Sequence, residues 1–98
     1  MRIRYSRRAT KDLASIQEYL SERSLPGAAN VLAAIYAAVE FIRRNPHAAE
    51  ATHTAGVRGK IVHRYRFKVF YRVLKAEDVI EIVHVRHTSR RLWSPENE

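Results

Sequence analysis

Two groups of side chains in this chain have the types and the spacing to do chemistry. The first runs from Arg58 to Arg72. Arg58, Lys60, Arg64, Arg66, Lys68 and Arg72 carry positive charge with no acidic residue among them, and Tyr65, Phe67, Phe70 and Tyr71 are interleaved. Cations beside aromatics on strands bind single-stranded nucleic acid, through phosphate pairing and base stacking. The same surface suits an acidic helix of a protein partner. The bland alternative makes the aromatics core residues and the cations a solvated face. For the aromatics that core reading is the favoured one; for the cations it is weaker, because like charges in a row repel and want a counter-partner.

The second group is His84, Arg86, His87, Arg90 and Arg91. Histidine exchanges protons near neutral pH, and the planar fork of arginine stabilises a pentavalent phosphate. A metal-independent ribonuclease built from these parts would draw on His87, Arg72 and Arg86. A clear partner base is missing. Glu81 shares strand and parity with His87, but the last tyrosine in the chain is Tyr71. There is no glycine-rich phosphate loop, HExxH, nucleophile elbow or zinc spacing. His47 and His53 sit in a loop and are too widely spaced for a metal pair, so neither a metal nor a cofactor is expected.

These residues need a sheet to hold them. Phe67, Val69, Tyr71 and Val73 alternate with Lys68, Phe70, Arg72 and Leu74. After a polar turn at Lys75–Asp78, Ile80, Ile82, His84 and Arg86 alternate with Val79, Glu81, Val83, Val85 and His87. Period-two patterning rich in β-branched and aromatic residues predicts strands. Both faces carry apolar side chains, so one needs a cover and the other meets a partner.

The preceding half supplies the cover. Arg2–Tyr5 reads as a short strand and Ser6 as a helix N-cap. Ala9, Leu13, Ile16 and Leu20 then form one stripe of an amphipathic helix, flanked by Tyr19. Arg7 and Arg8 in its first turn mildly oppose the helix dipole, which leaves a contact role as the minority reading beside plain solvated charge. Leu25-Pro26-Gly27 restarts the pattern. Ala28, Val31, Leu32, Ile35, Ala38, Val39 and Ile42 define a second helix, ended by Arg43-Arg44-Asn45-Pro46. Its alanines predict a close antiparallel helix hairpin. His47–Gly56 reads as a loop with room for one helical turn at Ala48–Ala51.

Ninety-eight residues at 46% hydrophobic make one α+β domain: a helix hairpin over about 6–45, a sheet over about 57–88, and a short polar tail at 92–98 holding Trp93. The chain lacks cysteine, so disulfides and Cys/His zinc sites are excluded, and a cytoplasmic location is expected. No secretory leader is visible, and Val31–Ile42 reads as too short for a membrane span. A net charge of +8 points to nucleic acid or an acidic protein as partner.

Taken together, the segments SRRATKDLASIQEYL, GVRGKIVHRYRFKVFYRV and DVIEIVHVRHTSRR, with a second helix closing at Asn45-Pro46, resemble the ParE branch of the RelE/ParE toxin superfamily over nearly the whole chain. The resemblance implies a β-α-α-β-β-β order, with the hairpin on one face of a small, mainly antiparallel sheet. It implies the toxin of a type II toxin–antitoxin pair, neutralised in a hetero-oligomeric complex by a ParD-like antitoxin. Such an antitoxin has a ribbon-helix-helix part, through which alone promoter DNA is bound, and an acidic C-terminal segment. ParE-like toxins are not enzymes; their target is DNA gyrase, and blocking it halts replication. RelE-like relatives instead cut messenger RNA on the ribosome. The H-x-x-R pattern at His87 and Arg90 looks more like ParE. Expected antitoxin contacts are Arg7, Tyr19, Tyr36, Arg58, Arg64 and Arg72. Expected toxicity residues are Arg86, His87, Arg90, Arg91 and Trp93.

Overall fold

A computed structural model describes residues 1–88. The elements in order are β1 (Arg2–Tyr5), α1 (Arg7–Ser21), α2 (Leu25–Arg44), β2 (Glu50–Ala51), β3 (Arg58–Ile61), β4 (Phe67–Leu74) and β5 (Val79–His87). One five-stranded sheet runs β1-β5-β4-β3-β2. β1 lies parallel to β5, and every other pairing is antiparallel. The first and last strands are therefore neighbours, and the expected α+β arrangement holds with one addition. The two-residue ladder at Glu50–Ala51 stands where a helical turn at Ala48–Ala51 was expected. The chain turns at Pro46-His47 instead and pairs Glu50 with Gly59.

Local signals account for both helices. The Ser6 hydroxyl accepts the Ala9 N–H at 3.0 Å and donates to Val83 O at 3.0 Å, so one side chain starts α1 and ties it to β5. Ser24 caps α2 by accepting the Gly27 N–H, ahead of a proline in its first turn. Asn45 closes α2, its side chain donating to Phe41 O. On the exposed side of this last turn Glu40 accepts from Arg43 and Arg44, and the Arg43 hydrogen bond holds its carboxyl down at about 2.

The hairpin covers one sheet face. Ala9 and Ile16 of α1, with Val31, Ile35, Ala38, Val39 and Ile42 of α2, pack on Phe67, Val69, Tyr71, Ile80, Ile82 and Val85. That apolar burial is the main stabilising term of the fold. α2 is 20 residues long, where the expected apolar stretch spanned Val31–Ile42. By length and composition alone it is long and apolar enough to cross a membrane. In this fold its hydrophobic stripe is instead the centre of the core.

Strict alternation fails in β5. Phe70 pairs with His84, yet Tyr71 pairs with Ile82, so Val83 is an extra residue in a β-bulge. Before it, Ile80 and Ile82 face the helices; after it, Val85 and His87 do. Sequence parity had grouped Ile80 and Ile82 with His84 and Arg86, and the bulge separates them. A one-residue insertion flips every later side chain.

The loop after α2 is fastened from below. The Tyr71 hydroxyl donates to Pro46 O at 2.7 Å, and Arg58 Nη1 donates to Ala49 O at 2.8 Å. Burial pushes the Tyr71 phenol above its ordinary 10, with Arg58 pulling the other way. Tyr71→Phe is expected to lower stability by about 1–2 kcal/mol, because the carbonyl loses its donor. The raised phenol favours the protonated folded form, so wild-type stability is held below pH 10 and falls as pH rises through the folded value. The phenylalanine variant should lose less over that alkaline range. Urea titrations from pH 7 to 11 measure both.

Candidate functional site on the open sheet face

The face turned away from the helices presents Lys68, Phe70, Arg72 and Leu74 from β4 opposite Arg86, His84, Glu81 and Val79 from β5. At one end Glu81 sits between Arg4 and Arg72, at 3.4 Å from each, and Arg4 also binds Glu77 at 3.0 Å. These exposed pairs arrange charge and contribute little stability.

The other end is built differently. Asp12 lies in the buried stripe of α1, only 3% exposed, and its Oδ2 accepts the Val85 N–H at 2.9 Å. The same oxygen lies 2.8 Å from His84 Nδ1. A carboxylate cannot donate, so Nδ1 carries the proton and Nε2 turns outward, 3.5 Å from Arg8 Nη2. The His84 ring stacks on Phe70 with centroids 5.3 Å apart and planes 16° from parallel. Lys68 Nζ and Arg86 Cζ lie 5.4 and 5.6 Å from the Phe70 centroid, within range of cation–π attraction. Gly59 makes room for the Lys68 stem, since a Cβ there would collide with Cε. The result is an imidazole held by a buried carboxylate, with Arg8 beside the imidazole and Lys68 and Arg86 beside the Phe70 ring stacked on it. Such a cluster favours an anion; no metal-binding group of His, Asp and Glu occurs among the described residues.

Asp12 escaped sequence reading, although it carried a signal: a carboxylate three residues after Ala9 and four before Ile16 falls inside an apolar stripe. The expected nuclease set is not brought together. His87 packs edge-on against Phe67 at 5.1 Å on the helix side, near Ile16, Tyr19 and Leu20, while Arg72 and Arg86 lie on the open face. The same separation divides the expected toxicity pair Arg86 and His87; Arg90, Arg91 and Trp93 lie outside the described residues.

The expected antitoxin contacts scatter. Arg7 is exposed at the start of α1. Tyr36 is 49% exposed in a groove with Tyr5 and Leu13. Tyr19 is half-buried beneath the Arg23 guanidinium, 3.8 Å from its ring. Arg58 braces the loop after α2 and Arg72 pairs with Glu81, whereas Arg64 stands exposed beside α2.

A helix hairpin on one face of a sheet whose first and last strands pair, with a basic open face, is the toxin fold of the RelE/ParE superfamily. Residues 3–92 match the family model described as ParE toxin of type II toxin-antitoxin system, parDE, and the chain belongs to that family. Among solved structures it is similar to one of the chromosomal ParDE system of P. aeruginosa: TM-score 0.79 and 23% identity over 91% of this chain and 97% of that one. The YoeB/ParE toxin of Agrobacterium tumefaciens gives 0.64 and 16%, over 89% and 98%. The intact E. coli RelBE toxin–antitoxin complex gives 0.58 and 13%, over 91% and 98%. At these identities the structures bear on the fold alone. No curated protein matches the chain.

Asp12→Ala should remove the acceptor of both the Val85 N–H and His84 Nδ1–H. Leaving both buried and unpaired should lower stability by roughly 2–4 kcal/mol. Equilibrium unfolding in urea measures it; a loss under 0.5 kcal/mol would show that the bridge carries little.

Proposed function

We propose that this ParE-family chain is silenced by a ParD-type antitoxin and acts in the cytoplasm by binding DNA gyrase and stalling replication. It works as a binder, without catalysing a reaction of its own. Membership of the family over residues 3–92 is the observation that carries this reading. The charge of +8 supports an acidic partner, since association with one relieves self-repulsion and speeds encounter. The antitoxin joins it in a hetero-oligomeric complex and supplies whatever contact the pair makes with promoter DNA.

The split of His87 from Arg72 and Arg86 argues against the ribonuclease reading built on those three residues. A hydrogen bond or proton transfer works over about 3 Å, and the thickness of a sheet exceeds that.

Purified gyrase, supercoiled plasmid, ATP and antitoxin-free protein test the proposal together. Protein-linked linear plasmid is expected to accumulate, and antitoxin should abolish it. A sample that arrests growth on expression but leaves gyrase unaffected would overturn the gyrase target. In that case ribosome-bound mRNA becomes the substrate to assay, with His87→Ala as the first variant.

A further inference from the structure

The turn between β3 and β4 is held in a conformation that its residues oppose. Val62 N–H donates to Phe67 O at 2.7 Å and closes the turn at 63–66. Arg64 stands at φ 80° and Arg66 at φ 58°, the left-handed region that is unfavourable for a residue with a Cβ. Among the described residues the other positive-φ positions hold Gly56 and Asp78, types that tolerate it. Contacts on either side impose the strained form. Tyr65, between the arginines, packs inward beside Ile16, Leu20 and Phe67. Arg66 O accepts twice from Thr88, from its N–H at 2.7 Å and its hydroxyl at 2.9 Å.

With Tyr65 turned inward, Arg64 and Arg66 are exposed at the tip of the hairpin. Neither guanidinium has a hydrogen bond or ion pair among the described residues. Glycine at either position would relieve the backbone, so the two side chains do nothing for the fold that their conformation does not cost. Strain of this kind gathers where a side chain acts outside the fold. The charge around the tip is of one sign. No Asp or Glu occurs from Ala51 to Ala76. Arg64 shares with Lys60 the rim of a groove between α2 and this hairpin. On the open face Lys68 pairs with Arg86, next to the Phe67–His87 pair at the turn end of the ladder.

We infer that Arg64 and Arg66 grip backbone phosphates of the DNA that gyrase holds, so that the chain engages enzyme and DNA together. This rests on the gyrase reading and deepens it by adding the DNA backbone as a ligand. A guanidinium fork matches two oxygens of one phosphate, and two forks at a fixed turn meet the strand without ordering a flexible loop. A protein surface intersperses acids with bases, whereas a DNA strand carries one negative charge at every nucleotide. A run of cations unrelieved by any acid fits the second. The contact is blind to sequence, because phosphates carry none.

A labelled duplex oligonucleotide of arbitrary sequence, titrated with antitoxin-free chain over a range of salt, tests the contact without gyrase. Arg64→Gln/Arg66→Gln is expected to weaken binding about tenfold at low salt and to flatten the log–log salt dependence by about two. Arg2→Gln/Lys75→Gln makes the same change in charge at the opposite end of β4 and should stay within about threefold. Arg64→Gly/Arg66→Gly should lose the same binding while its thermal midpoint rises by about 2–6 °C, since the strain goes with the side chains. In the plasmid assay with gyrase both tip variants should need about tenfold more protein for the same linear product. Gyrase without DNA should bind them as it binds the wild type. Equal duplex affinity of the tip and control variants would overturn the inference. So would a glycine pair with a lowered midpoint, which would make the arginines structural. Weaker binding of the tip variants to DNA-free gyrase would overturn it too, assigning the tip to an acidic protein patch. A wild-type chain that binds the duplex through its tip and leaves gyrase unaffected would overturn the gyrase reading alone.

Discussion

The outer side of β5 is the constraint on which the rest depends. β1 covers it only from Val79 to Ile82, and beyond that point a central strand would present bare backbone to water. α1 takes over where β1 ends. Ser6 N–H reaches Ile82 O, the Ser6 hydroxyl reaches Val83 O, and the Asp12 carboxylate takes the Val85 N–H. A strand-to-helix junction thus continues the edge that a four-residue strand leaves unfinished. Because α1 is fixed there, Ile16 falls onto the core and α2 has a partner to pack against.

The bulge at Val83 belongs to the same arrangement. It lies where the neighbour of β5 changes from strand to helix, and it reverses which side chains face the hairpin. Without it Ile80 and Ile82 would share a face with His84 and Arg86. The bulge delivers His84 to the open face while Asp12 reaches it around the strand edge, so one carboxylate oxygen serves both the backbone and the imidazole.

The charge of the chain is distributed by role. Glu81 and Glu77 engage Arg4 and Arg72 at one end of the open face, and Glu40 engages Arg43 and Arg44 at the end of α2. Arg58 donates to loop carbonyls. Arg8, Lys68 and Arg86 gather round the Phe70–His84 stack, while Lys60 and Arg64 rim the α2 groove. The two positive surfaces lie on opposite sides of the sheet.

Much of this was legible in the chain itself. Helix stripes, caps at Ser6 and Asn45, strand alternation in β4 and the family resemblance all follow from neighbours a few residues apart, where local propensity and periodicity act. The resemblance carried the order of elements and the expectation of a toxin. What sequence left undecided depends on contacts across the fold. Asp12 and His84 are seventy-two residues apart. The bulge at Val83 shows only against the register of β4, and the brace from Tyr71 to Pro46 spans twenty-five residues. Parity counted along one strand cannot see an extra residue that only its partner strand reveals, which is why Ile80 and Ile82 read as sharing a face with His84 and Arg86 and fold onto the opposite one. Residue types set which groups can act; register and burial decide which of them meet.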